Sequence, residues 1–279
     1  MMEPNKVLTI GGWDPCGAFG MPADMKTFAA LNCHGMGVMT VVTAQNSQGW
    51  YGAEFMSADF VAQQLDAVLS DYGAESIKTG FLGRVDLIEV IAAKIQEHQI
   101  ENIVIDPVVV NARGKAMFPQ EVIDAYFQLL FPIATVITPN LREFNLLMSN
   151  QTDPWKMTER SLEAAYEFVS RFQHNGKPPA FVVKGILTID QDGSEIISDG
   201  LIAHGAIELF SHSRIDTQNV SGTGDSFSAA LCCQLACGHR LAEAVAAASQ
   251  LTHQAIKHGA DWQLSSAAGP INHFAIGDS

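Results

Sequence analysis

Short apolar runs alternate along the chain with longer segments whose apolar residues fall three and four apart, the two periodicities of buried strands and amphipathic helices. Val7 to Ile10 predicts a strand ending at Gly11-Gly12. Gly37 to Ala44, Ser76 to Thr79, Ile103 to Ile105, Thr135 to Thr138 and Phe181 to Val183 predict further strands at spacings suited to crossovers. Between them, Phe60, Ala62, Leu65, Val68 and Leu69 mark one covering helix, and Val85, Leu87, Ile88, Ile91 and Ile95 mark another. This alternation implies right-handed βαβ units and a mostly parallel sheet with both faces covered. From Ile186 to Ile215 the pattern changes to short runs around Asp192-Gly193, Asp199-Gly200 and His204-Gly205 turns, which predicts an antiparallel meander at the sheet edge. Two apolar helices follow, Asp225 to Ala236 and Leu241 to about Lys257, before an irregular tail containing Gly269-Pro270. No repeat, low-complexity tract or Pro/Gly/Ser-rich linker divides the pattern, so residues 1–279 read as a single domain.

Charge narrows the function classes. Sixteen basic against 30 acidic residues give 16 − 30 = −14, and an acidic surface repels phosphate backbones and anionic lipid headgroups. Nucleic-acid and membrane-surface binding are therefore disfavoured, although a few local donors or a metal ion still suffice to hold a small anion. No apolar run approaches the roughly 20 residues needed to cross a bilayer, and Pro132 breaks the longest candidate, Phe127 to Ile137. Met1 to Lys6 lacks the charged and apolar regions of an export signal, so a cytoplasmic location is expected. Cys16, Cys33, Cys232, Cys233 and Cys237 are odd in number and form no C-x-x-C pair, which argues against a disulfide framework or a zinc site; the last three read as core packing.

The most informative stretch is Asn219 to Phe227, a small-residue loop running into an apolar helix. Gly222 and Gly224 let the backbone turn tightly and present N–H groups at a helix N-terminus, an anion cradle. Asp225 beside it suits a base that takes a proton from a substrate hydroxyl; equally, it suits a plain helix N-cap. Gly114-Lys115 and Gly176-Lys177 lack the remainder of a P-loop, and Gly11 to Gly17 lacks the dinucleotide spacing. Asp106 and the Thr138 to Glu143 segment fall at strand ends, where ligands of open α/β sheets bind; carboxylates with the Asn140 amide suit Mg²⁺. Asn140 and Glu143 equally suit a capping box. Asp14, Asp24 and Gln45-Asn46 offer groups able to read a small heteroaromatic ring, or simple turn and cap residues. The scattered histidines show no helical metal-ligand spacing and read as packing or surface.

Taken in order, Asp14-Pro15, Ala23 to Phe28, Ala44-Gln45-Asn46, Lys78 to Leu82, Asp106-Pro107-Val108, Thr138 to Glu143, Val183-Lys184-Gly185, Gly222-Thr223-Gly224 and Gly269-Pro270 resemble the hydroxymethylpyrimidine and phosphomethylpyrimidine kinases of thiamine synthesis. They also resemble the related pyridoxal kinases, and both groups belong to the ribokinase superfamily. The resemblance covers nearly the whole chain. It implies a ribokinase-like three-layer α/β/α sandwich with a mostly parallel sheet of about eight strands and an antiparallel edge. It further implies a homodimer that uses ATP with Mg²⁺ to phosphorylate a small heteroaromatic alcohol. Carried onto this chain, Asp225 would act as base with Gly222, Thr223 and Gly224 as anion hole, and Gly12, Asp14, Asp24 and Gln45 would lie at the substrate. Asp106, Asn140, Glu143 and Lys184 would serve the nucleotide, with Asp106 and Glu143 at the metal.

The chain departs from the thiamine-pathway pattern at several points. Asp225 stands where those kinases usually have Cys, as in ribokinase itself; Trp13 replaces a small Thr or Ser, and Ala18-Phe19 replaces Gly-Ala. Ala112-Arg113-Gly114 replaces Lys-Ser-Gly in the flap, and Val220-Ser221 replaces Thr-His before the anion loop. Gln45 favours the pyrimidine as substrate, whereas Lys78-Thr79-Gly80 leans toward pyridoxal or pyridoxine. The added bulk of Trp13 and Phe19 motivates a third alternative, a non-catalytic ligand-binding paralogue.

Overall fold

The computed structural model describes residues 3–111, 114–149, 166–172 and 178–274. Ala112 and Arg113 of the flap, and Gly176-Lys177, lie outside the described residues. Nine strands form one sheet: β1 (Lys6–Trp13), β2 (His34–Asn46), β3 (Gly49–Phe55), β4 (Ser76–Thr79), β5 (Asn102–Ile105), β6 (Val136–Ile137), β7 (Ala180–Ile189), β8 (Glu195–Ala203) and β9 (Ala206–Ser213). Their spatial order is β3-β2-β1-β4-β5-β6-β7-β8-β9. The six central strands, β2 to β7 in that order, are parallel, while β3 at one end and β8-β9 at the other are antiparallel.

Helices described in the structure cover the sheet, among them α1 (Gly20–Ala30), α2 (Ala58–Leu69), α3 (Val85–Glu97), α4 (Gln120–Ala125), α5 (Leu141–Ser149), α6 (Thr223–Ala236) and α7 (Leu241–Gly259). Successive strand residues point to opposite faces, which divides the core in two. Leu8, Ile10, Ile103, Ile105 and Phe181 pack with Leu65 of α2, Ile88 and Ile91 of α3, and Phe144 of α5. Val7, Val104, Val136 and Val182 face Phe28 of α1, the Ala229 to Cys233 run of α6, and Val245 and Ala248 of α7. Cys232 and Cys233 are core residues as expected, but Cys237 is exposed at the end of α6.

The expected meander is present, with one correction. His204 and Gly205, both at positive φ, make the two-residue hairpin between β8 and β9. Asp199-Gly200 is not a turn: Gly200 pairs with Val183 and Leu209 inside β8, where side chains of Ile186 and Leu209 pack over its Cα. Likewise, β1 does not stop at Gly11-Gly12 but runs through them with a register shift against β2. No helix among the described residues is long and apolar enough to cross a membrane.

The C-terminal tail is stitched to the entry of α6. Asn219, buried, donates from Nδ2 toward the carbonyls of Gly259, Ala260 and Trp262 at 2.8–3.1 Å and accepts the Gly269 N–H at 3.0 Å. Ser221 bridges to Pro270, and His273 Nε2 meets Ser226 Oγ at 2.9 Å. Burial, reinforced by Lys26, pushes the His273 imidazole down to about 4. An unfolded histidine titrates near 6.5, so between those values the unfolded chain binds the proton that the folded chain refuses. The stability this site contributes is therefore complete above about pH 6.5 and is lost as pH falls toward 4. Replacing His273 by Gln should flatten the fall in unfolding free energy over that window by about 1–3 kcal/mol, measured by urea denaturation of both proteins across the range.

Candidate active site

Sheet order reverses at β1, which is flanked by β2 on one side and β4 on the other, and open α/β sheets bind ligands beyond the C-terminal strand ends at such a reversal. A buried chain of charges crosses this point. Lys78, on β4 and fully buried, places its Nζ 2.6 Å from Asp24 Oδ1 of α1 and 3.4 Å from Asp225 Oδ1 of α6. Thr9 of β1 donates its hydroxyl to Asp24 Oδ2 at 2.6 Å. Burial pushes the Asp24 carboxyl up to about 7 against the pull of Lys78. Burial alone would lower the Lys78 ammonium, but Asp24, Asp225 and Asp106 outweigh it and hold it above its ordinary value.

Asp225 stands in the first turn of α6 with its side chain 15% exposed, so it meets buried Lys78 and still touches solvent. Gly222 caps the helix at φ 81°, and a Cβ there would lie 2.0 Å from the Ala18 carbonyl oxygen, so only glycine fits. Thr223 N–H donates to Val220 O and Ser226 N–H to Gly222 O. Among the described residues, the N–H groups of Gly224 and Asp225 between them have no protein acceptor, as an anion cradle requires.

The second expected cluster also assembles. Lys184 Nζ lies 3.0 and 3.1 Å from the two oxygens of Asp106 and 3.3 Å from Gly224 O, while Ser228 of α6 donates to Asp106 Oδ2 at 2.8 Å. Asn140 and Glu143 form the reciprocal capping box of α5: Asn140 Oδ1 accepts from Glu143 N, and Glu143 Oε2 accepts from Asn140 N. Glu143 Oε1 also accepts from Val109 N. Burial, then the charge of Asp106, push the Glu143 carboxyl up to about 8, with Lys184 pulling the other way. A cleft of about 260 Å³ begins at Asn140, Lys184, Thr223 and Gly224 and continues between β8, β9 and α7.

The expected substrate residues divide. Gly12 and half-buried Gln45 lie at the ends of β1 and β2, and Cys16 Sγ donates to Gln45 O at 2.9 Å. Asp14 is buried and accepts backbone N–H bonds from Cys16, Ala18 and Phe19, so it shapes the loop that carries the exposed Trp13 and Phe19. Asp24 is equally occupied by Thr9 and Lys78, beneath Asp225. Lys78 appears in the sequence only within the Lys78 to Leu82 motif and receives no role at the site there, and His212 and His253, which line the cleft, read there as packing or surface.

Comparison with known proteins agrees with this geometry. A family model described as phosphomethylpyrimidine kinase matches residues 14–272. The hydroxymethylpyrimidine/phosphomethylpyrimidine kinase of Bacillus subtilis is 32% identical over 275 residues, 99% of this chain and 97% of that protein. The thiamine biosynthesis multifunctional protein ThiED of Corynebacterium efficiens is 33% identical over 97% of this chain, which spans 35% of that longer protein. Among solved structures, an ADP complex of Bacillus subtilis pyridoxal kinase has a TM-score of 0.84 and 33% identity, covering 99% of this chain and 100% of that one.

Removing Lys78 leaves Asp24 buried without its cation, a loss typically worth about 3–5 kcal/mol. Lys78→Met should therefore destabilise the fold by that order, and adding Asp24→Asn should restore at least half of the loss. Denaturant unfolding of the single and double variants measures both; equal stabilities would contradict the assigned pairing.

Proposed function

The chain belongs to the phosphomethylpyrimidine kinase family, and we propose that it transfers the terminal phosphoryl group of ATP to the hydroxymethyl group of hydroxymethylpyrimidine, with the resulting monophosphate as a second acceptor, in thiamine synthesis. One observation carries the reading: Thr223 and Gly224 line a cleft of about 260 Å³, and the amides of Gly224 and Asp225, next to the Asp225 carboxylate, have no protein acceptor among the described residues. Asp225 accepts the hydroxyl proton, the freed oxygen attacks the terminal phosphorus in line, and the bond to the bridging oxygen breaks to release ADP. The Gly224 and Asp225 amides and Lys184 carry the charge on the migrating group. Lys78 keeps the Asp225 carboxylate in place. Gly12 and Gln45 bound the ring site, and Asp14 and Asp24 support it from within the protein.

Magnesium fits the donor set. Asp24, Asp106, Glu143 and Asp225 set four carboxyl groups against two ammonium groups, Lys78 and Lys184, and with Asp24 and Glu143 pushed upward a further cation would favour their ionised forms. The buried hydroxyls of Thr79, at the end of β4, and Thr138, just after β6, make no hydrogen bond among the described residues. Asp106 and Glu143, with the Asn140 carbonyl, would hold the ion through its waters, and the ion would screen the nucleotide phosphates. The same reading makes the protein a cytoplasmic homodimer: its described cysteines are free thiols, and Trp50 and Tyr51 expose apolar surface on edge strand β3.

Pyridoxal or pyridoxine is the second reading, favoured by the full-length likeness to a pyridoxal kinase structure. ADP release with hydroxymethylpyrimidine, pyridoxal and pyridoxine in turn decides it, the pyrimidine being expected to give the highest kcat/KM. Asp225→Asn should lower kcat by about a hundredfold or more while leaving ADP affinity within a few fold, as measured by steady-state turnover and nucleotide titration. Unchanged turnover would remove Asp225 as the base.

A further inference from the structure

Beyond the phosphate end, the cleft is lined by Ile197 of β8, His212 of β9, and Ser249, Thr252, His253 and Ile256 of α7. The isoleucines provide apolar walls suited to a flat ring, and the polar groups between them form an ordered chain. Asp199 of β8 accepts the Gly185 N–H on Oδ1 at 3.1 Å and the Ser249 hydroxyl on Oδ2 at 2.6 Å, a length typical of a bond to an ionised oxygen. A serine hydroxyl has one proton, and here Asp199 receives it. Toward His212 Nε2, 3.0 Å away, Ser249 Oγ is therefore an acceptor, so Nε2 carries the imidazole hydrogen.

Burial pushes the His212 imidazole below its ordinary value against the pull of Asp199, and the ring stacks on His253, lowered likewise by burial, with centroids 4.5 Å apart and planes 13° apart, a contact that two cations would not sustain. With Nε2 protonated, Nδ1 presents a lone pair, and among the described residues Nδ1 makes no hydrogen bond. The cleft thus contains a nitrogen held as an acceptor by a serine and a carboxylate. That carboxylate is tied through Gly185 to the backbone next to Lys184 at the phosphate end.

Resting on the nucleotide reading above, we propose that His212 reads the purine of the phosphoryl donor as a hydrogen-bond acceptor, favouring adenine, which offers an exocyclic amino group, over hypoxanthine, which offers an oxo oxygen. Asp199 and Ser249 are positioning residues that fix the His212 tautomer. An amino group donates to Nδ1, whereas an oxo group sets two acceptors against each other and leaves both unsatisfied.

Steady-state turnover with ATP and ITP, together with titration by ADP and IDP, tests the assignment. The wild-type protein should prefer ATP by about ten- to a hundredfold in kcat/KM. His212→Phe, which keeps a ring against His253 but removes the nitrogen, should bring the ratio within about threefold by raising the ATP KM at nearly constant kcat. His212→Asn, whose carbonyl oxygen replaces Nδ1, should restore part of the preference, and Ser249→Ala should weaken it. An unchanged ATP/ITP ratio in His212→Phe overturns the role of His212 while leaving the kinase reading intact. Failure of the wild-type protein to bind either ADP or IDP overturns the nucleotide reading and this inference with it.

Discussion

The site depends on one buried ammonium. Lys78 lies on a central strand, out of water, and is tolerable there only because Asp24 and Asp225 arrive from two different helices to balance it. The ion pairs join α1, β4 and α6 at the place where the strand order reverses. They fix the rotation of α6 about its axis, and that rotation decides whether its first amides and its first carboxylate face the crevice. Hydrophobic packing contributes through Phe227, Leu231 and Leu235, but much of the buried face of α6 is small, with Ala229, Ala230 and Cys233, which fill space with little directional preference.

Two charge clusters with different tasks sit side by side. In the Lys78 group, Lys78 and Asp24 are sealed from water and only Asp225 reaches the surface. The Lys184 group is open to the cleft, and its excess of carboxylate, visible in the upward push on Glu143, gives it use for a further cation. Ser228 and Gly224, both on α6, contact the second cluster, while Asp225 contacts the first. Three residues of one helix therefore set the spacing between a base and the groups that meet phosphate.

Much of this was legible in the sequence because it is local. The parallel strands, α2, α3, the meander, the anion loop and the capping box all announce themselves within a dozen residues. Misreadings have identifiable causes. Asp-Gly at 199–200 carries a turn signature, but tertiary packing of Ile186 and Leu209 over the glycine holds it in a strand. Strand β3, short and largely exposed, lacks the apolar alternation that would mark it. Helix α1 starts at Gly20 with no side-chain cap and has little amphipathic contrast. Lys78 and the His212 relay escaped because their partners lie 54, 147 and 37 residues away, and no spacing rule spans such distances.

The stitching of the tail has a consequence for biogenesis. Asn219, Ser221 and Ser226 take their partners from residues 259–273, which are translated after every strand of the sheet has been made. A nascent chain can lay down β1 to β9 and still lack the contacts that give the α6 entry its shape. The loop that offers its amides to phosphate thus takes its final shape only once residues 259–273 have been made.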